Sequence, residues 1–211
     1  MIEVLVCDFG GVLTTPLEAS FRFWSEESGV PLDELGGALQ RLAERDGAHP
    51  LHLLERGEMT EADFLAAIGR ELGGVDMSAF TDVYFGHLEV NEPLIERLRE
   101  WHARPGLRMA LCTNNVREWE PRWRAMIPVD ELFEAVIDSA FVGARKPEPR
   151  IYEIVLERLG GVAPEACLLL DDFEVNCEGA RALGMHAVRF ASTEQAIADV
   201  EAALDRGRGD G

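Results

Sequence analysis

Val4-Leu5-Val6-Cys7-Asp8-Phe9-Gly10-Gly11-Val12-Leu13 is an apolar run that ends in a carboxylate and is followed by paired glycines. The run begins at Ile2, and a short, Val/Leu-rich segment of this kind suits a strand buried on both faces. Four more such runs follow along the chain, Leu107–Cys112, Ala135–Asp138, Cys167–Leu170 and Ala187–Phe190. Amphipathic stretches separate them and predict helices over Pro93–His102, Arg117–Met126, Pro149–Leu159, Val175–Leu183 and Thr193–Leu204. Asn91 caps the first of these, Pro93 sits in its opening turn, and Gly160-Gly161 ends the third. The alternation predicts an α/β fold, a doubly wound parallel sheet with helices on both faces.

The interval 16–89 departs from that alternation. Apolar residues recur at helical spacing in Phe21–Trp24 and in Phe64, Leu65, Ile68 and Leu72, and Gly36-Gly37, Gly57 and Gly73-Gly74 punctuate it. We read it as a helical insertion, which leaves 1–15 and 90–206 as the α/β unit and 207–211 as a frayed tail. A chain of 211 residues has room for one domain and such an insertion.

A net charge of −19 argues against nucleic acid or an anionic membrane as partner, because both are bound through Lys and Arg. A small anionic substrate stays compatible where a metal, a local cation or backbone N–H groups offset the overall field. Cys7, Cys112, Cys167 and Cys177 show no paired CxxC spacing and read as buried, reduced thiols. No apolar stretch approaches the ~20 residues of a membrane span, and no secretory leader is evident, so a cytoplasmic protein is expected.

Three of the apolar runs end in polar residues of a telling kind: Val6-Cys7-Asp8, Leu111-Cys112-Thr113 and Leu169-Leu170-Asp171-Asp172. In open α/β sheets ligands bind outside the carboxyl ends of the strands, so these distant positions are expected to meet in one crevice. Carboxylates gathered there repel one another, and some stay protonated unless a cation is bound. A hard divalent ion resolves the conflict, and Mg²⁺ retains waters and shares its site with phosphate oxygens. Lys146, after Gly143-Ala144-Arg145 and before Pro147, supplies the remaining positive charge.

The order Asp8, Thr113, Lys146, Asp171-Asp172 resembles the haloacid dehalogenase (HAD) superfamily over the length of the chain. That family has an Asp after the first strand, a Ser or Thr after the second, a Lys ahead of a helix and an acidic pair after the fourth. The flanking strings Cys7-Asp8-Phe9-Gly10-Gly11-Val12-Leu13, Lys146-Pro147-Glu148-Pro149-Arg150-Ile151-Tyr152 and Asp171-Asp172-Phe173-Glu174-Val175-Asn176-Cys177-Glu178-Gly179-Ala180 agree with it. The resemblance implies a HAD-like Rossmannoid core, with residues 16–89 as its helical cap. It also implies a Mg²⁺-dependent phosphomonoester hydrolase acting on a small phosphorylated metabolite through a phospho-aspartyl intermediate. Asp8 would be the nucleophile, with Thr113 and Lys146 completing the catalytic group. Phosphate would be bound by Thr113, Lys146, Asn114 and the backbone N–H groups of Phe9, Gly10 and Gly11. The metal would be held by Asp8, the Gly10 carbonyl, Asp172 and, directly or through water, Asp171. Assembly is open between monomer and homodimer.

Gly10 departs from the family pattern, in which the residue two after the nucleophile is usually a second Asp serving as general acid and base. Glycine keeps the backbone carbonyl but provides no proton carrier. The cap residues Glu18, Arg22, His49 and His52 are candidates for that role and for substrate contacts, whereas Phe21, Phe23 and Trp24 read mainly as packing. The Asp-x-Gly form also resembles a subgroup that includes sugar-phosphate phosphatases, and an anomeric phosphate needs less help in leaving. Two other readings stand beside this one: a catalytically weak or non-catalytic protein binding phosphate or a partner, and a 2-haloacid dehalogenase, against which the acidic pair argues.

Overall fold

A computed structural model describes residues 1–206; the expected frayed tail 207–211 lies outside them, as do the side chains of Leu17 and Glu18. The sheet has strands β1 (Val4–Cys7), β2 (Arg108–Thr113), β3 (Ala135–Asp138), β4 (Cys167–Asp171) and β5 (His186–Arg189). All pairings are parallel and the order is β3-β2-β1-β4-β5. Alternation within β1 sets the layers. Leu5 and Cys7 pack with Leu94, Leu98 and Trp101 of α6 (Glu92–His102) and with Val200 of α12 (Thr193–Arg206). Val4 and Val6 face the opposite way, against Ile151 and Val155 of α10 (Pro149–Arg158) and Ala180 of α11 (Glu174–Ala182). The sheet is thus covered on both sides, as the unbroken apolar runs require. All four cysteines are free and buried.

Five helices fill the insertion: α1 (Leu17–Ser28), α2 (Leu32–Asp46), α3 (Pro50–Glu55), α4 (Glu61–Glu71) and α5 (Phe80–Gly86). The chain leaves the sheet and returns to it side by side, through an antiparallel bridge between Thr14 and Val90 and the bonds Thr15 N–H to Glu89 O and Asn91 N–H to Leu13 O. Asn91 accepts from Leu94 N–H as the α6 cap, and its amide also donates to Val12 O and Thr193 Oγ1. One residue therefore starts a helix and joins both linkers to α12.

The helix expected over 117–126 is shorter and broken. A 3₁₀ turn, Arg117–Trp119, precedes α7 (Glu120–Arg124), because Pro121 has no N–H to continue a helix begun earlier and suits only a first turn. The short helices α8 (Val129–Leu132) and α9 (Ser139–Val142) flank β3. Asp138 caps α9 through Ala140 N–H. Among the described residues, no helix is long and apolar enough to cross a membrane.

The insertion meets the α/β unit tightly at Gly57, whose φ is +68°. A Cβ there would overlap the Ala140 carbonyl oxygen and crowd the Arg117 guanidinium, which itself donates to that oxygen at 2.6 Å. Gly57→Ala combines an unfavourable left-handed backbone with that overlap and is expected to cost at least about 1 kcal/mol. Gly36→Ala, in open space on α2, is expected to hold or raise stability. Urea unfolding followed by circular dichroism compares the two.

Candidate active site

Register carries the chemistry to one end of the sheet. Cys7 pairs with Leu111 on one side and Leu170 on the other, so Asp8, Thr113 and Asp171 emerge together where the strand order reverses. Asp8 N–H donates to Leu170 O at 2.9 Å and extends the ladder up to the site.

Lys146 reaches in from the loop before α10 and is fully buried. Its Nζ lies 2.8 Å from Asp8 Oδ1 and 2.6 Å from Asp171 Oδ2. Asn114 fixes the lysine backbone, accepting from Lys146 N–H at 2.8 Å and donating to Lys146 O at 3.0 Å. Its side chain, expected at the phosphate, is therefore engaged in holding the lysine. Asp171 is saturated as well, since Oδ1 accepts from Phe173 N–H and Asn176 Nδ2, both at 2.9 Å. Asp8 Oδ1 also accepts from Phe9 N–H at 2.7 Å, while Oδ2 has no protein donor among the described residues.

Three carboxylates around one ammonium leave an excess of negative charge. Burial pushes the Asp8 carboxyl well above the usual range, Lys146 opposes that rise, and Asp171 and Asp172 add to it. Burial, then the charge of Asp171, pushes Asp172 up to about 6. Lys146 stays charged because the pull of Asp171 and Asp8 exceeds the effect of desolvation. Carboxylate oxygens of Asp8, Asp171 and Asp172 lie within 4.8 Å of one another, and Asp172 Oδ1 is buried with no hydrogen-bond partner among the described residues. A buried anionic oxygen without a donor is costly. An all-oxygen donor set with one member free in this way fits a hard divalent cation. The close approach of Asp172 depends on Gly11 (φ +75°), where a Cβ would overlap the Asp172 carboxylate.

A model of the haloacid dehalogenase-like hydrolase family matches residues 2–184. The chain belongs to that family. Over 205 residues it is 32% identical to phosphatase MT3486 of Mycobacterium tuberculosis, covering 88% of this chain and 86% of the relative. It is 27% identical over 210 residues to acyl-CoA dehydrogenase family member 10 of Mus musculus, covering 96% of this chain but only 19% of that much longer protein. A HAD-like family hydrolase of known structure from Porphyromonas gingivalis superposes with a TM-score of 0.75 at 25% identity, covering 97% of this chain and 98% of the other.

The helical insertion, the cap of this HAD protein, covers a cavity of about 130 Å³ whose lining includes Phe9, Gly10 and Thr113. None of Arg22, His49 and His52 lines it, and the side chain of Glu18 lies outside those described. Arg22 is exposed. His49 and His52 stack on each other, ring centroids 4.7 Å apart, near Arg145. Desolvation, then the neighbouring cations, pushes His52 down to about 4 and lowers His49. Phe23 stacks on His87 and Trp24 is buried, whereas Phe21 reaches the cavity wall.

The acid that does line the cavity is Glu55, which sequence reasoning passed over. It pairs through Oε2 with Arg145 Nε at 2.5 Å, and its neighbour Arg56 pairs with Glu148. These two bonds tie the end of α3 to the loop that carries Lys146. The only sequence signal was a Glu-Arg pair at a helix end before Gly57, which is indistinguishable from an ordinary solvated pair.

Asp8 and Asp172 both carry raised folded-state pKa values, so their burial as anions destabilises the metal-free protein increasingly as pH rises above the ordinary carboxylate range, for Asp172 up to about 6. A divalent cation offsets that repulsion only where the carboxylates are ionised. Mg²⁺ is therefore expected to raise Tm by several degrees at pH 7.5 and by much less at pH 5.0, as read by differential scanning fluorimetry of chelator-treated protein.

Proposed function

We propose that this HAD protein is a Mg²⁺-dependent phosphomonoester hydrolase acting on a small phosphorylated metabolite, with Asp8 as its nucleophile. The observation that carries the reading is the buried Lys146 between Asp8 and Asp171, beside an Asp172 oxygen that has no protein partner among the described residues. The resemblance to a named phosphatase over most of both chains supports it.

Asp8 attacks phosphorus in line with the leaving oxygen. The new O–P bond forms as the bond to the leaving group breaks, which gives an aspartyl phosphate and a leaving oxygen that takes up a proton. Water then attacks the same phosphorus, loses its proton and releases inorganic phosphate, restoring the Asp8 carboxylate. Lys146 favours the ionised nucleophile against the effect of burial and offsets charge on the transferring oxygens. Thr113 Oγ1 and the Gly10 N–H donate to the phosphate, the Phe9 and Gly11 N–H groups being bonded to Asp8 and Thr14. Bound Mg²⁺, held by Asp8, Asp172 and the Gly10 carbonyl, would supply positive charge against the phosphate oxygens, with Asp171 contributing through water because both of its oxygens are engaged.

The proton carrier absent at Gly10 is, in this proposal, Glu55. Among the described residues it is the one acidic side chain on the cavity wall, and burial raises its pKa against the opposing pull of Arg145. It therefore holds a proton more readily than an exposed glutamate. The sugar-phosphate expectation is supported by the Asp-x-Gly motif and by 26% identity over 212 residues to the phosphorylated carbohydrates phosphatase of Thermotoga maritima.

Asp8→Asn is expected to lower kcat roughly 10³-fold or more without altering the circular dichroism spectrum. Chelation is expected to abolish turnover, measured as phosphate release. Turnover of a 2-haloacid that survives chelation would instead favour the dehalogenase reading. Glu55→Gln is expected to reduce kcat about 10²-fold on alkyl phosphates and far less on p-nitrophenyl phosphate, whose leaving group needs no proton. Arg145→Met breaks the same ion pair but keeps the carboxyl, so it should not discriminate between the esters. An equal loss on both esters in Glu55→Gln would reduce Glu55 to a packing role.

A further inference from the structure

The cavity beside the nucleophile has mainly hydrocarbon walls, among them Phe21, Leu39, Leu51, Leu54, Ile68 and Phe80. The polar groups that reach it are nearly all engaged within the protein. Asn114 holds the Lys146 backbone through both ends of its amide. Asn115 Oδ1 accepts from Val116 N–H at 2.9 Å, and its Nδ2 lies 3.5 Å from Thr113 Oγ1. Trp119 Nε1 donates to Glu61 at 2.8 Å. Thr113 is committed to the phosphate in the reading above. What remains is the Tyr84 hydroxyl and the second oxygen of Glu55, Oε1, neither of which has a protein partner among the described residues.

We infer that the leaving group of the substrate is a compact hydrocarbon, ring-sized or branched, and not a sugar. The inference rests on the phosphomonoesterase reading and narrows it, setting aside the sugar phosphate suggested by the first motif. A sugar entering this space would give up the water on several hydroxyls and find at most two free partners among the described residues, one of which the bridging oxygen requires. Unpaired buried hydroxyls oppose binding far more than a poorly filled apolar wall does. A hydrocarbon loses nothing of the kind, and apolar cavities of about 150 Å³ walled by Leu, Ile and Phe do take up benzene. The partition of roles is then simple. The core turn and Lys146 hold the phosphate, Glu55 faces the bridging oxygen, and the cap wall covers the hydrocarbon.

The main comparison is among benzyl phosphate, 3-methylbutyl phosphate and glucose 6-phosphate, which share a primary leaving oxygen. With Mg²⁺, kcat/KM for benzyl phosphate and 3-methylbutyl phosphate is expected to exceed that for glucose 6-phosphate by at least about tenfold, and glucose 1-phosphate to be no better than glucose 6-phosphate. Acetyl phosphate, whose small leaving group asks little of the cavity, reads the catalytic centre. Leu51→Phe, which fills the cavity, is expected to lower the ratio of benzyl phosphate to acetyl phosphate turnover about tenfold. Sugar esters that match or outrun the hydrocarbon esters while acetyl phosphate is hydrolysed would overturn the substrate class and leave the phosphatase reading standing. A ratio unmoved in Leu51→Phe would overturn the placement of the leaving group. Absence of Mg²⁺-dependent turnover of every ester and of the anhydride acetyl phosphate would overturn both readings.

Discussion

A lysine ammonium with no exposed surface sits between two carboxylates, and the architecture around it follows from keeping it there. A buried charge is stable only when it is paired and its remaining bonds are satisfied. Lys146 obtains this from Asp8 and Asp171, which belong to adjacent strands of the sheet, and from Asn114, which clamps its backbone. Asp171 in turn has both oxygens occupied, by Lys146, Phe173 N–H and Asn176. Asn176 is itself tied to α10 through the hydroxyl of Tyr152, which donates to its carbonyl at 2.8 Å. The two acids of the pair Asp171-Asp172 thereby take unlike tasks, one as a structural counter-ion and the other with an oxygen left free.

The same loop that carries Lys146 also receives the cap. Arg145 and Glu148, on either side of the lysine, pair with Glu55 and Arg56 at the end of α3. Seating of the cap and placement of the Lys146 ammonium are thus mechanically joined. This junction brings a carboxyl from the cap to a cavity whose lining includes Gly10, whose own side chain cannot supply one. In the proposed mechanism the α/β unit would handle phosphate and metal, and the cap would handle the leaving group.

The five apolar runs became the five strands to within a residue or two, because a strand buried on both faces has no room for polar residues and shows as an unbroken hydrophobic string. Helices were legible where caps and amphipathic spacing agreed, as at Asn91 and Gly160-Gly161. The stretch 117–126 was not, since Pro121 divided a pattern whose periodicity looked continuous. Asp8, Thr113, Lys146, Asp171 and Asp172 were legible as a set because strand ends in an open sheet converge, so position along the chain translates directly into position in the crevice.

The cap residues were a different matter. His49, His52 and Arg22 have the right chemistry and stand in the right segment, yet they line a different surface, while Glu55 does reach the cavity. The face a residue presents on a short helix depends on how that helix docks, here through the close approach of Gly57 to Ala140 and the pairs to Arg145 and Glu148. By itself, the sequence determined the sheet, the family and the residues at the strand ends, because these follow from local patterns repeated at fixed spacing. Only the tertiary structure decided which oxygens are already satisfied, which acid faces the cavity and how apolar that cavity is, because each depends on contacts between segments far apart in the chain.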